Sequence, residues 1–373
     1  MTTPPTATPV GKDQIQAWAD NLRGPVALHI RQRLQPVEGE DGVFFPPTYA
    51  MKDDRKYGPY AIDELSDGTK VAQIDSVGSQ ANRMEPIFKK APEGRTPNPL
   101  AELVPQIEIT LEDETAVSIF EIGHRIGDAF VRSSTLHQDV KAAFDSYRLQ
   151  GDATELAKLA PTSIVFGAWD SRGDQAKLPR IIQSVIRAWD VDTLRRSAQY
   201  GPPVNYTAFE VFTEEEKQKA EGNAASDLAI RGFVHVPAVD THGGIVARGG
   251  IFRDITINLI ALRQLDGKEK GEALRRYILG LALIAATEPQ DGFLRQGCLL
   301  VPDAEAPAQW EAIERTGERK AIKLEPTVLL DFAKEAAKEF CVGSDRKEKF
   351  LKDQAKADLG ETRQAKTAAK KAK

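Results

Sequence analysis

The sequence predicts an α+β fold, in which one sheet and its helices carry long irregular insertions. Strand and helix patterns follow one another in mixed order, which is typical of this class. Of the 373 residues, 41% are hydrophobic, which is enough to fill a sizeable core. Three long irregular stretches, 35–70, 88–103 and 201–228, separate the elements, and loops of this length usually serve a function.

Strands are predicted where hydrophobic and polar residues alternate. This pattern runs through 26–31, 107–111, 233–238 and 251–259, and Pro237 restricts its strand to an edge or an end. The run 163–169 is apolar throughout and is predicted as a short, fully buried strand.

Helices are predicted where hydrophobic residues recur every three or four positions. The segments are 114–132, 181–189, 274–285 and 326–340, and the last of them begins at Pro326. The second half of the 274–285 helix is apolar all round, so we expect it to be buried.

The two ends of the chain differ in composition from the rest. Residues 1–13 are rich in Pro and Thr and are predicted to form a flexible leader before an ordered body, 14–343. Residues 344–373 form a basic low-complexity tail with ten Lys or Arg and five Asp or Glu. The whole chain has a net charge of −5, so a polyanion site must be a local patch rather than a global field.

Several functional classes lack their sequence signatures. The chain has no phosphate-binding loop, dinucleotide fingerprint, zincin motif or nucleophile elbow, and its five histidines are scattered. We therefore expect no cofactor and no metal. The missing motifs do not exclude an enzyme, because a pair of catalytic carboxylates leaves no local signature. Two distant cysteines favour a reducing compartment, and the longest apolar run, 277–286, is too short for a bilayer, so we expect a cytoplasmic protein without a membrane partner.

Four segments combine Arg, amide, hydroxyl and Gly groups, which are the groups that bind phosphates and stacked bases. The first, 79–83, also fits a helix start with a polar outer face. The second, 124–134, also fits a salt bridge on one helical face, because Arg125, Asp128 and Arg132 have helical spacing. The third, 169–201, has a basic stretch followed by Tyr200, and it also fits an exposed amphipathic helix. The fourth, 243–253, also fits a tight hairpin turn.

From these segments we predict a set of RNA-binding residues. They are Gln80, Asn82, Arg83, His124, Arg125, Arg132, Ser171, Arg172, Lys177, Arg180, Arg195, Arg196, Tyr200, Arg248, Gly249, Gly250 and Arg253.

Taken in order, four stretches resemble one known family. The stretches 75–83, 123–125, 163–171 and 249–259 resemble the backbone subunit of type I CRISPR effector complexes (Cascade), of the variety called I-G, formerly I-U. The resemblance spans roughly residues 20–340. It implies a hand-shaped molecule: an RNA-recognition-like (ferredoxin-like) palm with inserted web and thumb elements, the thumb lying within 195–250.

The resemblance also implies a function. It implies a RAMP-superfamily subunit that binds CRISPR RNA, polymerises along it with other copies of itself, and joins other Cascade subunits. The guide would then pair with a target DNA strand. Since the type I relatives bind without cutting, the resemblance also implies that the protein is not an enzyme and has no catalytic residue. One alternative is a metal-dependent nuclease that uses Asp128, Asp170 or Asp254. Another is an interaction scaffold without nucleic acid.

Overall fold

A computed structural model describes residues 7–49, 59–169 and 177–359 of the chain, without the side chains of 239 and 240. The strands are β1 Thr8–Pro9, β2 Ala27–Pro36, β3 Ile62–Glu64, β4 Lys70–Asp75, β5 Ile107–Thr110, β6 Ala116–Ser118, β7 Ile182–Trp189, β8 Val191–Tyr200, β9 Val236–Ala247, β10 Ile251–Asn258, β11 Phe293–Arg295, β12 Cys298–Pro302, β13 Trp310–Ile313, β14 Arg319–Lys323 and β15 Arg346–Lys349. The α-helices are α1 Lys12–Asp20, α2 Val77–Met84, α3 Ala129–Arg132, α4 His137–Gln150, α5 Thr154–Leu159, α6 Pro161–Phe166, α7 Glu214–Ala220, α8 Asp227–Ile230, α9 Leu259–Arg263, α10 Gly271–Thr287 and α11 Pro326–Phe340.

The principal sheet is built around four antiparallel strands in the order β13-β2-β10-β7. The strands β14 and β1 extend this order beyond β13, and β4 and β3 extend it beyond β7. The hairpin of β11 and β12 pairs with the end of β2. Helices α2 to α6 lie in sequence between β2 and β7, and α10 lies between β10 and β13. The mixed order of strands and helices confirms the α+β class.

The two faces of this sheet differ sharply in polarity. On one face, Leu28 and Ile30 of β2 and Ile255 and Ile257 of β10 belong to the same buried cluster as α10. Each of these side chains contributes about 1.5–3 kcal/mol through burial. The alternate residues of the same strands point to the other face, and this open face carries His29, Arg31, Arg33, Phe252 and Asp254.

A long two-stranded ribbon continues from the sheet. Its strands, β8 and β9, follow β7 and precede β10 in the chain, and they pair with each other. Between them lies a tip, 201–235, that contains α7 and α8. Most of β8 is exposed, and Phe209 and Ile230 of the tip are exposed hydrophobic residues.

Both ends of the chain contain regular structure, although the leader 1–13 was predicted to be flexible and the tail 344–373 to be either a solvated helix or disordered. Near the amino end, β1 pairs with β14, and α1 begins at Lys12. Near the carboxyl end, β15 joins β5 and β6 in a three-stranded sheet, and residues 352–359 are helical.

Several predicted elements are confirmed. The structure has strands at β2, β5 and β10 and helices at α10 and α11, each within a few residues of the prediction. The strand predicted over 233–238 begins only at Val236, and Pro237 lies in the ribbon, whose strands are both edges. The irregular stretch 201–228 contains α7 and the start of α8, and 35–70 contains β3.

Two predictions exchange helix and strand. The helix predicted over 181–189 is wrong, because Ile182–Trp189 is a strand that pairs with β10 on one side and β4 on the other, and its β-branched residues suit a pleated sheet. The strand predicted over 163–169 is also wrong. Pro161 begins the helix α6 and Gly167 ends it at φ +78°, and every residue of α6 is buried, so periodicity carried no information there.

The helix predicted over 114–132 is wrong as well. Ser118 forms a capping box with Glu121, Arg125 has φ +56°, and Asp128 caps the short helix α3 by accepting a hydrogen bond from the Phe130 amide. These local bonds divide the segment into separate turns. Arg125, Asp128 and Arg132 therefore do not share one helical face.

Candidate nucleic-acid interface

The open face of the sheet carries cations and aromatic rings side by side. Three strands supply them: Arg31 and Arg33 come from β2, Arg187 and Trp189 from β7, and Phe252 from β10. We call these five residues the open-face cluster. The guanidinium carbon of Arg31 lies 4.1 Å from the ring centre of Phe252 and 5.8 Å from that of Trp189. Phe252 is paired in register with Arg33 on one side and Arg187 on the other.

Acidic side chains balance part of this charge. Arg31 lies 3.9 Å from Asp254, which also lies 3.6 Å from His29. Arg33 lies 3.3 Å from Asp303 and also contacts Glu40. The side chain of Arg31 is nevertheless 48% exposed, so it remains accessible to a ligand.

This arrangement suits a single-stranded nucleic acid. Aromatic rings offer flat surfaces on which bases stack, and neighbouring guanidinium groups bind phosphates and can themselves stack. The face is made of strands, which hold these groups at fixed spacings of about 3.3 Å per residue.

Arg125, a predicted RNA contact, lies inside the protein. It is 4% exposed, and its Nε lies 2.6 Å from Oε2 of Glu85, which is 2% exposed. Its other nitrogens donate to Oδ1 of Asn82 at 3.0 Å and to the carbonyl of Gly167 at 3.3 Å. Burial raises the pKa of Glu85 to about 7, against the opposing charge of Arg125. This guanidinium therefore joins α2 to the end of α6.

Three further predicted residues belong to a buried polar network. Nε of Arg253 donates to Oγ of Ser184, which donates to Gln80 at 2.7 Å, and Gln80 donates to Asp75 at 2.6 Å. Arg83 lies 3.0 Å from the same carboxylate of Asp75 and donates to backbone carbonyls of β11. The network lies on the covered face of the sheet, so Arg253 points away from its neighbour Phe252.

Parts of three predicted segments do meet around Gly167. The ring of Trp169 is 53% exposed, and the ammonium nitrogen of Lys177 lies 5.2 Å from its centre. Arg180 is exposed and packs against Gly167, where a Cβ would come within 2.7 Å of Cγ of Arg180. Asn82 is linked to Gly167 because Arg125 donates hydrogen bonds both to Asn82 and to the carbonyl of Gly167. We call Asn82, Arg125, Gly167, Arg180 and the Trp169–Lys177 pair the Gly167 corner.

The other predicted residues are dispersed. His124 is exposed and lies 3.3 Å from Asp128, and Arg132 is partly buried. On the ribbon, Arg195, Arg196 and Tyr200 are exposed residues of β8, and Arg196 lies over the ring of Phe45. Ser171, Arg172 and Asp170 fall outside the described residues.

The fourth segment contains a tight turn, in which the Gly250 amide donates to the Ala247 carbonyl, but not a hairpin, because the flanking strands β9 and β10 pair with other strands. Gly249 and Gly250 lie where the ribbon joins the sheet, and the Gly249 amide donates to the carbonyl of Trp189. A Cβ on Gly249 would come within 2.9 Å of Trp189, and Gly250 has φ +85°, so both positions require glycine. Arg248 extends toward Asp192 at 3.1 Å.

The predicted list of RNA-binding residues contains no member of the open-face cluster. Arg31, Arg33, Arg187, Trp189 and Phe252 were not among the predicted RNA-binding residues. The alternation in β2 and β10 did contain the signal, because it assigns Arg31, Arg33 and Phe252 to the polar face of their strands. The wrong helix over 181–189 concealed Arg187 and Trp189.

The described residues contain neither a cluster of metal ligands nor a membrane-spanning helix. Within 7–49, 59–169 and 177–359, no three His, Cys, Asp or Glu side chains come together in a way that could hold a metal ion. In the same ranges, no helix has the length and apolar composition needed to cross a membrane.

Comparison with known families supplies one match. Residues 28–193 match the family model described as CRISPR-associated protein GSU0053. This segment is therefore similar to a CRISPR-associated protein family. It covers β2 to the beginning of β8, and so includes Arg31, Arg187 and Trp189 of the open-face cluster. No curated protein matches the chain.

Proposed function

We propose that this protein is the RNA-binding backbone subunit of a type I CRISPR effector complex, of the I-G variety. It would hold the guide RNA on the open face of its sheet and act in the cytoplasm. The observation that carries this proposal is the open-face cluster, in a chain whose matched segment is similar to a CRISPR-associated protein family.

The strand order supports an RNA-recognition-like palm. The antiparallel order β13-β2-β10-β7, with helices after β2 and after β10, is the order of the β-α-β-β-α-β ferredoxin-like arrangement. Proteins of the RNA-recognition type stack bases on aromatic residues of the open sheet face. Phe252 and Trp189 occupy such positions.

The ribbon supports the assignment of a thumb. It is inserted between β7 and β10, which are adjacent in the palm, and its strand β8 and its tip are mostly exposed. In the proposed filament, this ribbon reaches the RNA held by the next copy. Exposed Arg195 and Arg196 on β8 would then contact the phosphates of that strand.

In the proposed mechanism, the guide RNA recognises the target sequence by base pairing, and the protein does not read the bases. Arginines bind phosphates without regard to base identity, so the protein holds any guide sequence. Binding to several copies orders the guide RNA, so part of the entropy loss of pairing occurs before target DNA arrives. Binding without cleavage is part of the proposal. Asp128 is engaged as a helix cap and Asp254 lies between Arg31 and His29.

The proposal is tested by removing the stacking surface. Phe252→Ala is expected to weaken binding of a fluorescent single-stranded RNA by about 5-fold to 150-fold, since stacking on one aromatic ring contributes about 1–3 kcal/mol. Arg31→Gln is expected to lower the slope of log affinity against log salt by about 0.7, the value for one phosphate contact on a single strand.

A matched control lies on the helix layer. Lys338→Gln removes one exposed cation from α11, and it should leave both RNA affinity and salt slope unchanged. If Phe252→Ala and Arg31→Gln bind RNA as the unaltered protein does, the open face is not the binding surface. Cleavage of RNA or DNA with magnesium, abolished in Asp254→Asn, would instead favour a nuclease.

A further inference from the structure

A cavity of about 480 Å³ lies on the covered face of the sheet, beneath the segment that follows α10. Its walls are mainly apolar and include Ile30, Ile255, Leu300 and Trp310. Pockets of about 300–1,000 Å³ with apolar walls and a few polar groups are typical of small-molecule sites. The proposed RNA-binding surface lies on the opposite face and does not use this space.

One wall of the cavity contains Arg253, a buried cation. The side chain is 7% exposed, and its Nη2 is buried without a hydrogen-bond partner among the described residues. Its Nε donates to Ser184, a neutral hydroxyl. Burial lowers the pKa of Arg253 to about 10, with opposition from Asp75, so the guanidinium is still charged at pH 7. Asp75 already accepts hydrogen bonds from Gln80 and Arg83.

A charge buried in this way is costly unless an anion compensates it. A second polar group of the same cavity is also unsatisfied, because Nε2 of Gln290 is buried without a hydrogen-bond partner in the described part of the chain. Two donors without acceptors, Arg253 and Gln290, therefore line one apolar space. A ligand with a negatively charged acceptor would compensate Arg253, and an apolar body would match the walls.

We propose that this cavity binds a small monocarboxylate with an apolar body. The carboxylate accepts from Arg253, and the body packs against Ile30, Ile255 and Trp310. The lining also contains Glu288 and Asp291, whose negative charges repel a dianion more strongly than a monoanion. A single carboxylate therefore fits this site better than a phosphate ester does.

The test uses octanoate as the probe and the full-length chain. Isothermal titration should show saturable binding of octanoate, and 1-octanol, which has the same chain without the charge, should bind at least tenfold more weakly. Arg253→Met keeps most of the side-chain volume and removes the charge, so it should weaken octanoate binding at least tenfold. Arg33→Met, on the open face, is the matched control and should leave octanoate affinity unchanged.

Three results would overturn the proposal: no saturable binding of octanoate, equal binding of octanol, or unchanged octanoate affinity in folded Arg253→Met. If that variant does not fold, Gln290→Trp, which narrows the cavity, takes its place and should abolish octanoate binding. RNA binding is measured on the same samples. Because the two sites lie on opposite faces, either one can fail its test while the other passes.

Discussion

The buried pair of Arg125 and Glu85 gives a prediction that separates a structural role from RNA contact. Replacing Arg125 by Met leaves a carboxylate that is 98% buried without its partner, 2.6 Å away in the intact protein. Breaking a buried ion pair from one side costs about 3–5 kcal/mol. Two further hydrogen bonds, to Asn82 and to the carbonyl of Gly167, are lost with it. Since the free energy of unfolding of a domain is about 5–15 kcal/mol, this loss is a large part of the total stability.

The assay is urea denaturation followed by circular dichroism at pH 8, where Glu85 is charged. Arg125→Met should lower the free energy of unfolding by about 3–5 kcal/mol. The double variant Glu85→Gln with Arg125→Met should recover at least half of that loss, because no uncompensated charge remains. His124→Ala, at the exposed neighbouring position, is the control and should change stability by less than about 0.5 kcal/mol. Unchanged stability of Arg125→Met together with weaker RNA binding would refute the structural role.

Further predictions concern pH, the Gly167 corner and its exposed ring. Glu85 has a pKa of about 7 in the folded protein and the ordinary value of 4.5 in the unfolded chain. Between pH 4.5 and pH 7 the folded state therefore binds more protons than the unfolded state. The free energy of unfolding should fall as the pH rises through this range, by up to about 1.4 kcal/mol per pH unit. Urea titrations of Glu85→Gln should lack this component, and an identical slope in both proteins would contradict the assignment. Gly167→Ala should cost about 1 kcal/mol or more in the same titration, because φ is +78° and Arg180 blocks the added Cβ; an unchanged midpoint would be inconsistent with this geometry. Trp169→Ala should change the free energy of unfolding by less than about 0.5 kcal/mol, because the ring is exposed. If RNA reaches the Gly167 corner, the same variant should bind RNA more weakly. Unaltered RNA affinity would exclude Trp169 from the RNA-binding surface.

The sequence was most informative where one physical signal dominated. Strands β2 and β10 have one apolar and one polar face, so alternation alone located them. The long helices α10 and α11 were located by their apolar periodicity and by Pro326. The α+β class followed from these elements.

Local patterns were insufficient where burial surrounds a segment on all sides. The residues of α6 are all buried, so they show no one-sided pattern. In β7 the cause is different, because the apolar residues at 181, 182, 185, 186 and 189 also recur at helical spacing. The sequence also did not reveal which polar side chains are buried. Arginine is a common phosphate-binding residue, which is why Arg125 and Arg253 were predicted to bind RNA. Both side chains point into the protein because they contact Glu85 and Ser184, which are distant from them in sequence.

The open-face cluster could have been found by combining two strands. Arg31 and Phe252 lie 221 positions apart, and only the pairing of β2 with β10 brings them within 4.1 Å. A correct strand at 182–189 would have added Arg187 and Trp189. Functional surfaces of a sheet thus depend on strand register, which a single sequence does not specify directly.

The most direct test of the central claim is to map where RNA touches the protein. Single-stranded RNA containing 4-thiouridine would be cross-linked to the purified chain with ultraviolet light, and the linked peptides identified by mass spectrometry. We expect cross-links in peptides that contain Phe252 or Trp189, and their loss in Phe252→Ala with Trp189→Ala. Cross-links that avoid both peptides and fall on the helix layer around α11 would contradict the claim that the open face of the sheet holds the guide.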